Sequence, residues 1–65
     1  MRGIKKNRKK YGWTQSQLAE KVGVSINTIW RWEANQISPS LKNLKEMSKL
    51  FDCTIDELVA DDDFK

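Results

Sequence analysis

Apolar residues in this chain recur at intervals of three and four positions rather than two. Leu44, Met47 and Phe51 have this spacing, and so do Leu18 and Val22. Such intervals place side chains on one face of an α-helix, whereas strict alternation would place them on one face of a strand. Runs of β-branched residues, which favour strands, are few. The pattern therefore predicts helices throughout the chain.

Capping residues indicate where the predicted helices begin. Thr14 and Gln17 have the spacing of a capping box, in which each side chain accepts a hydrogen bond from the other residue's backbone N–H. Thr54 and Glu57 repeat that spacing, and Ser25 is a good N-cap residue. We therefore expect helices to begin directly after Thr14, Ser25 and Thr54.

Other residues indicate where helices end and where the fourth one begins. Gly12 and Gly23 are natural stops because glycine adopts the left-handed conformation at low cost, and Asn35 suits the same role. In the stretch 38–40, either serine can cap a helix and Pro39 suits a first turn. The chain is thus divided into five predicted helices: about 2–11, 15 to the stop at 23, 25 to about 34, one that opens within 38–40, and one that follows 54.

The apolar face of each predicted helix contributes to a shared core. The predicted inward residues are Ile4, Tyr11, Leu18, Ala19, Val22, Ile29, Trp32, Leu41, Leu44, Met47, Ser48, Phe51, Ile55, Leu58 and Val59. Short amphipathic helices must pack against one another to bury such faces. We expect an all-α, compact five-helix domain over residues 1–60, followed by a frayed acidic tail at 61–65.

The stretch 25–35 reads SINTIWRWEAN, and its two tryptophans cannot lie on the same side of a helix. At about 100° per residue, Ile29 and Trp32 lie within about 60° of each other. This pair predicts a buried Trp32 and an exposed Trp30. The opposite face collects Asn27, Trp30, Arg31 and Ala34, with Ile26 at its edge.

Charge is distributed unevenly along the chain, whose net charge is +3. All six cations of the first segment precede the first acidic residue, Glu20, and acidic residues crowd the other end. A basic end indicates a polyanionic partner such as nucleic acid. A solvated, charge-rich first helix explains the same pattern, and on charge alone neither interpretation is preferred.

Size and composition exclude several classes of protein. A chain of 65 residues forms one domain at most. No apolar run approaches the ~18 residues that span a bilayer, so we expect a cytoplasmic protein. Without histidine and with the single thiol of Cys53, which suits core filling, we expect no metal site, no cofactor and no disulfide. An enzyme has little support, because no Gly-rich phosphate loop is present.

Two short helices joined by a tight glycine turn, over about residues 15–34, have the dimensions of a helix-turn-helix. In that motif the second helix enters the DNA major groove and the first crosses the backbone. The crossing needs a small residue, here Ala19, and a turn residue, here Gly23. The shared core needs apolar residues, and the chain supplies Leu18, Val22, Val24, Ile29 and Trp32.

The sequence resembles the Cro and phage-repressor type of helix-turn-helix domain, the XRE family. The resemblance rests on RKKYGWTQSQLAEKVGVSINTIWRWE, PSLKNL and TIDEL, and it covers the chain from Ile4 to about Val59. It implies a lambda-repressor-like fold of five helices and a homodimer bound to a two-fold-related operator on double-stranded DNA. Members are mostly bacterial or phage transcriptional repressors, which is the function that the resemblance implies.

Four residues of the third helix are candidates for contact with DNA bases. Arg31 comes first because arginine binds guanine O6 and N7 bidentately, and Asn27 follows because an amide can bind adenine N6 and N7. Ile26 can pack on a thymine methyl group, or it can lie at the edge of the core. Trp30 stands where the family usually has a small or polar residue, and it faces either sugars and thymine methyls or a protein partner.

A second group of residues is expected to contact phosphate. Gln15 matches the family's phosphate-contacting glutamine at the start of the second helix. The other candidates are Arg2, Lys5, Ser16, Gln17, Thr28 and Asn35. For Ser16 and Gln17, simple exposure to solvent is equally expected, and Thr28 can serve phosphate or core. Ala34 replaces the asparagine that is usual in the family, and residues 36–38 bring no positive charge.

Arg8 and Glu33 match a family pairing that ties the first helix to the end of the third, and we expect a structural ion pair. Leu50, Val59 and Phe64 are candidates for a dimer patch, although ordinary core packing is the preferred interpretation of Leu50 and Val59. A second function remains open. The chain is alternatively an antitoxin-like or bridging protein-interaction module that uses the Trp30 face or the acidic carboxyl end.

Overall fold

The computed structural model describes residues 1–60, which form helices joined by turns and loops, with no strand in that range. The five helices are α1 (Arg2–Lys10), α2 (Gln15–Val22), α3 (Ile26–Glu33), α4 (Leu41–Phe51) and α5 (Ile55–Val59). The prediction of an all-α, five-helix fold is confirmed. The expected acidic tail at 61–65, together with Phe64, lies outside the described residues.

Both predicted capping boxes are present. The Gln17 N–H donates to Thr14 Oγ1 at 3.0 Å, and the Thr14 N–H donates to Gln17 Oε1 at 2.8 Å. The Thr54 box has the corresponding distances of 3.1 and 2.9 Å. These bonds satisfy N–H groups that have no partner within the helix, so α2 and α5 begin where the sequence predicts.

Left-handed residues follow four of the helices, and the first is Gly12, with φ 74° after α1. Gly23 has φ 85° after α2, Asn35 has φ 61° shortly after α3, and Asp52 has φ 54° after α4. The stops at Gly12, Gly23 and Asn35 are confirmed, whereas the sequence does not predict the one at Asp52. Pro39 is not in the first turn of α4, because Ser40 is the N-cap and the proline lies buried just before it.

One hydrophobic core joins the helices. It consists of Ile4, Leu18, Ala19, Val22, Ile29, Trp32, Met47, Phe51 and Leu58. Trp32 is 2% exposed and Trp30 is 48% exposed, so the prediction for the two tryptophans is confirmed. Within this fold α2 packs mainly on α3, and α1 packs mainly on α5.

Three residues that were expected to point inward are exposed. Leu41 lies six positions before Met47, which is about 120° around the helix, so it faces away from the core. Val59 is the last residue of α5, about 100° from the buried Leu58. Tyr11 follows the end of α1 and keeps its ring at the surface, although its hydroxyl donates to the Phe51 carbonyl at 2.8 Å.

Gly3 lies at a close approach of α1 to the backbone of α5. A Cβ at this position would lie 1.8 Å from the Glu57 carbonyl oxygen and 2.6 Å from that of Leu58. Glycine is therefore required for the two backbones to touch, and this contact holds the carboxyl-terminal helix against α1. Among residues 1–60, no helix combines the length and the apolar character that crossing a membrane requires.

Candidate nucleic-acid interface

The outer face of α3 is bare. Ile26 is 52% exposed and Trp30 is 48% exposed, and Asn27 and Arg31 are exposed as well. The opposite face of α3 is packed inside the protein, because Ile29 and Trp32 are in the core. The four candidates for base contact therefore share the accessible side of one helix.

The turn between α2 and α3 sets the angle at which that face is presented. The Gly23 and Val24 N–H groups both donate to the Ala19 carbonyl, at 2.8 and 3.0 Å. Ser25 then caps α3, accepting from the Thr28 N–H at 3.2 Å. The Thr28 hydroxyl also lies 3.0 Å from Ser25 Oγ, so this phosphate candidate takes part in the cap.

Glu33 joins three helices through its carboxylate. Arg8 Nε donates to Glu33 Oε2 at 2.7 Å, and Arg8 Nη2 donates to Glu33 Oε1 at 3.1 Å. The side chains are 10% and 6% exposed, and Arg8 Nη1 also donates to the Trp13 carbonyl at 2.9 Å. This bidentate geometry ties α3 to α1 and to the turn before α2.

Gln15 is the third partner of Glu33. Its Nε2 donates to Glu33 Oε1 at 3.0 Å. A carboxylate only accepts hydrogen bonds, so the amide must turn its nitrogen towards Glu33, and the reverse orientation would set two oxygens against each other. One Nε2 hydrogen then remains for another acceptor. Sequence reasoning identified Gln15 but not this contact, because the two residues are far apart in the chain.

Two surface depressions connect α1 with the bare face of α3. The smaller, of about 190 Å³, is lined by Lys5, Gln15, Trp30, Glu33 and Ala34. The larger, of about 390 Å³, is lined by Arg2, Lys5, Lys6, Lys9 and Glu33. Lys5 belongs to both, so the cationic face of α1 continues into the side of α3 that carries Trp30.

The remaining phosphate candidates differ in how free their side chains are. Arg2 and Ser16 are exposed. In the capping box, Gln17 Oε1 accepts a hydrogen bond from the Thr14 N–H, so the side-chain NH₂ group of Gln17 is left for other contacts. The Asn35 side-chain oxygen accepts from the Met1 ammonium group.

Met1 was not identified from the sequence, yet it contacts the carboxyl end of α3. Its ammonium group donates to the Trp32 carbonyl at 2.9 Å and to the Glu33 carbonyl at 3.4 Å, besides Asn35. A cation at the carboxyl end of a helix is favoured by the helix dipole and satisfies carbonyls without intrahelical partners.

The candidate dimer patch is only partly on the surface. Leu50 is half-buried and packs against the core, whereas Val59 is 40% exposed. Cys53 is half-buried against the core too, and burial, with the nearby Glu57 and Asp52 carboxylates, raises the pKa of its thiol. Residues 1–60 contain no group of three or more side chains arranged to hold a metal ion.

Comparison with known proteins places this arrangement in a family. A family profile described as Helix-turn-helix matches residues 4–58. The chain belongs to this helix-turn-helix family. The matched range contains α2, the turn at Gly23 and α3, together with nearly all of the core.

Relatives of this helix-turn-helix protein cover most of its length. An HTH-type transcriptional regulator of Archaeoglobus fulgidus is 40% identical over 92% of this chain and 86% of its own. The HTH-type transcriptional activator BcrR of Enterococcus faecalis is 47% identical over 72% of this chain. Repressor protein C2 of Salmonella phage P22 is 37% identical over 91% of it. The chain spans 23% of BcrR and 27% of C2. A search of solved structures gives no match.

Proposed function

We propose that this helix-turn-helix protein is a sequence-specific DNA-binding transcriptional regulator whose α3 enters the major groove. The bare outer face of α3 carries this proposal, because the inner face with Ile29 and Trp32 is already buried. A helix whose exposed side bears amide, guanidinium and apolar groups matches the donors, acceptors and methyl groups of base edges.

Arg31 and Asn27 are the polar base-contacting residues of the proposal. Arg31 binds guanine through O6 and N7, and Asn27 binds adenine through N6 and N7. Ile26 and Trp30 add apolar contacts on the same face. All four are exposed, so each can approach DNA without unfolding any part of the core.

Phosphate contacts come from the side of α3 that faces α1 and α2. Gln15 offers its second amide N–H, and Lys5 and Arg2 offer charge. Ser16, Gln17, Thr28 and Asn35 complete the proposed set. These contacts set position and affinity rather than sequence preference.

We further propose that the protein acts in the cytoplasm as a homodimeric repressor. Occlusion of a promoter needs only occupancy of the DNA, which a helix-turn-helix domain provides, and C2 is named a repressor. Two copies of α3 would occupy half-sites about one helical turn, ~34 Å, apart, as in the known examples of the motif. Leu50, Val59 and Phe64 form the candidate contact between copies. BcrR is named an activator, so the direction of regulation is tested separately, with a promoter fusion.

Selection from random duplex DNA tests the function. We expect enrichment of a two-fold-related sequence. The variant Arg31→Ala should then lose about tenfold or more in discrimination at one base pair of each half-site. Lys49→Ala is a matched control, because Lys49 lines a different depression with Lys21 and Glu46. Unchanged discrimination by Arg31→Ala would refute the role of Arg31, and no enrichment at all would refute the function.

A second function is supported by Trp30. A tryptophan that is 48% exposed, on a helix followed in sequence by a neutral stretch at 36–38, is also suited to a protein partner. An antitoxin-like or bridging module would co-purify with a second chain through Trp30 or the acidic end. Loss of that complex in Trp30→Ala, with no enrichment in the DNA selection, would favour this function over the first.

A further inference from the structure

The larger depression along α1 is a groove rich in cations, here called the α1 groove. Its volume is about 390 Å³, and it is lined by Arg2, Lys5, Lys6, Lys9 and Glu33. The Glu33 carboxylate is already engaged by Arg8. The four cations stand three or four positions apart on one helix, a spacing at which like charges repel. An anionic segment that lies along the groove relieves this repulsion.

Helix geometry places the α1 groove between α5 and α3. Gly3 faces α5, since a Cβ there would lie 1.8 Å from the Glu57 carbonyl oxygen. At about 100° per residue, Lys6 lies about 60° around α1 from Gly3, and Lys5 lies about 160° around in the same direction. Lys5 also lines the depression that contains Trp30. The groove therefore begins next to α5 and ends on the α3 side of the molecule.

The chain leaves α5 beside this groove. A Cβ on Gly3 would lie 2.6 Å from the Leu58 carbonyl oxygen, and Ala60, which follows α5, has an extended backbone. The stretch 61–63, here called the acidic segment, consists of three consecutive aspartates. It lies three to five residues beyond Leu58, so its reach is up to about 18 Å, and α1 is about 13 Å long. The acidic segment can therefore reach along the α1 groove.

We propose that the acidic segment binds in the α1 groove of its own chain and competes there with DNA phosphate. The charges are complementary, and the tether holds the segment at an effective concentration on the order of millimolar. Ion pairs that are individually weak are then sufficient for the contact. The contact itself is independent of the proposed function. The competition rests on that function, because Arg2 and Lys5 are proposed phosphate contacts.

Competition of this kind has a defined effect on DNA binding. DNA must displace the acidic segment before the cations of the α1 groove can meet phosphate. Affinity for every duplex is therefore lowered by about the same factor, because phosphate contacts carry no sequence information. Base preference is unchanged, because Asn27 and Arg31 lie on α3.

Zero-length crosslinking with a carbodiimide tests the contact on the full chain without DNA. The reagent joins a carboxylate to an amine that touches it, and mass spectrometry of the peptides identifies the pair. We expect links within one chain from 61–63 to Lys5, Lys6 or Lys9, with a yield independent of protein concentration. The absence of such links, links to Lys21 or Lys49 of the other depression, or links only between two copies would overturn the proposal.

Neutralising the acidic segment tests the competition. The triple variant Asp61→Asn, Asp62→Asn, Asp63→Asn should bind duplex DNA about fivefold more tightly than the parent. The gain should be the same for the selected operator and for an unrelated duplex. Affinity is measured by fluorescence anisotropy at about 0.15 M salt, where exposed charges more than about 8 Å apart are largely screened.

A matched triple variant controls for net charge. Glu46→Gln, Asp52→Asn and Asp56→Asn remove the same number of negative charges from exposed side chains elsewhere in the molecule. Because screening weakens distant charges, this control should gain less than about twofold. Circular dichroism should show both triple variants folded, since none of the control residues is in the core.

The outcomes separate this proposal from the proposed function. Equal gains in the two triple variants would assign the effect to net charge and overturn the competition. Unchanged affinity in the variant of the acidic segment would overturn it as well. Failure of every protein to bind any duplex would overturn the proposed function, and the crosslinking map would still decide whether the acidic segment occupies the α1 groove.

Discussion

At the scale of single residues, the largely buried carboxylate of Glu33 fixes the positions of the helices that form the proposed interface. It accepts two hydrogen bonds from Arg8 and one from Gln15, and it is 6% exposed on its side chain. A buried ion pair of this kind need not add net stability, because the cost of desolvation offsets the attraction. The ion pair instead fixes geometry, because the Glu33 side chain holds α3 in a defined position relative to α1 and to the start of α2.

Glu33→Gln is expected to destabilise the fold strongly. The change leaves the Arg8 guanidinium buried without its counter-charge, which typically costs about 3–5 kcal/mol. Urea unfolding followed by circular dichroism measures the loss. The double variant Arg8→Met with Glu33→Met removes both charges and should recover part of the stability. A loss below about 1 kcal/mol in the single variant would place the pair among the weak, solvent-screened ones.

At the scale of the helices, two close approaches shape the molecule. The α2–α3 crossing depends on the small Ala19 and on the left-handed Gly23, and both were predicted. The α1–α5 approach depends on Gly3, where a Cβ would fall 1.8 Å from the Glu57 carbonyl oxygen. Backbone atoms cannot move aside as a flexible side chain does, so this second contact is the less tolerant of change.

Gly3→Ala is expected to destabilise the protein by about 1–3 kcal/mol, as overpacking commonly does. In an exposed helical position the same change would stabilise by nearly 1 kcal/mol, so the sign of the effect identifies the contact. Lys9→Ala, in the exposed part of α1, controls for helix propensity. Thermal unfolding of both variants measures the difference, and a Gly3→Ala protein as stable as the parent would mean that α5 is not held at this distance.

Gly23→Ala tests the turn separately. Gly23 has φ 85°, and an added Cβ would meet no atom within 4 Å, so strain in the backbone is the sole cost. That strain is about 1–2 kcal/mol for a residue other than glycine. Asparagine tolerates the left-handed conformation better, so Gly23→Asn should lose less in urea unfolding. Equal losses for alanine and asparagine would point to a cause other than backbone strain.

At the scale of the whole molecule, a group of cations on α1 lies beside the proposed DNA-binding face. The depression beside α3 and the larger one along α1 share Lys5 and are lined by four cations in all: Arg2, Lys5, Lys6 and Lys9. Lys21 and Lys49 line a different depression. A protein with this distribution should bind polyanions in one orientation, with affinity that falls steeply as salt rises.

Lys5→Ala is expected to weaken binding to all duplex sequences about equally. It should also reduce the slope of log affinity against log salt by about 0.9, the value for one phosphate contact. Gln15→Leu should lower affinity without changing the slope, because an uncharged amide releases no counterion. Lys49→Ala should change neither. Salt titrations of the four proteins on one duplex decide between these expectations, and an unchanged slope for Lys5→Ala would remove Lys5 from the contact set.

Local sequence was sufficient to predict most of the secondary structure and the division of α3 into two faces. Capping boxes, left-handed stops and three-to-four spacing depend on interactions between residues a few positions apart. A short segment of sequence therefore contains all the residues that determine them. The positions of Trp30 and Trp32 on one helix therefore suffice to predict that Trp32 is in the core and Trp30 at the surface. The ends of α1 and α3 differ from the predictions by one residue.

Tertiary structure alone decided how those helices meet. The Gln15–Glu33 hydrogen bond, the contact of Met1 with the end of α3 and the approach of Gly3 to α5 join residues far apart in sequence. The prediction that Leu41, Tyr11 and Val59 point inward is wrong, because periodicity specifies an apolar face but not how far the neighbouring helix extends over it. Whether a residue at the edge of the core is buried depends on where the neighbouring helices end. The local sequence pattern around that residue does not specify those positions.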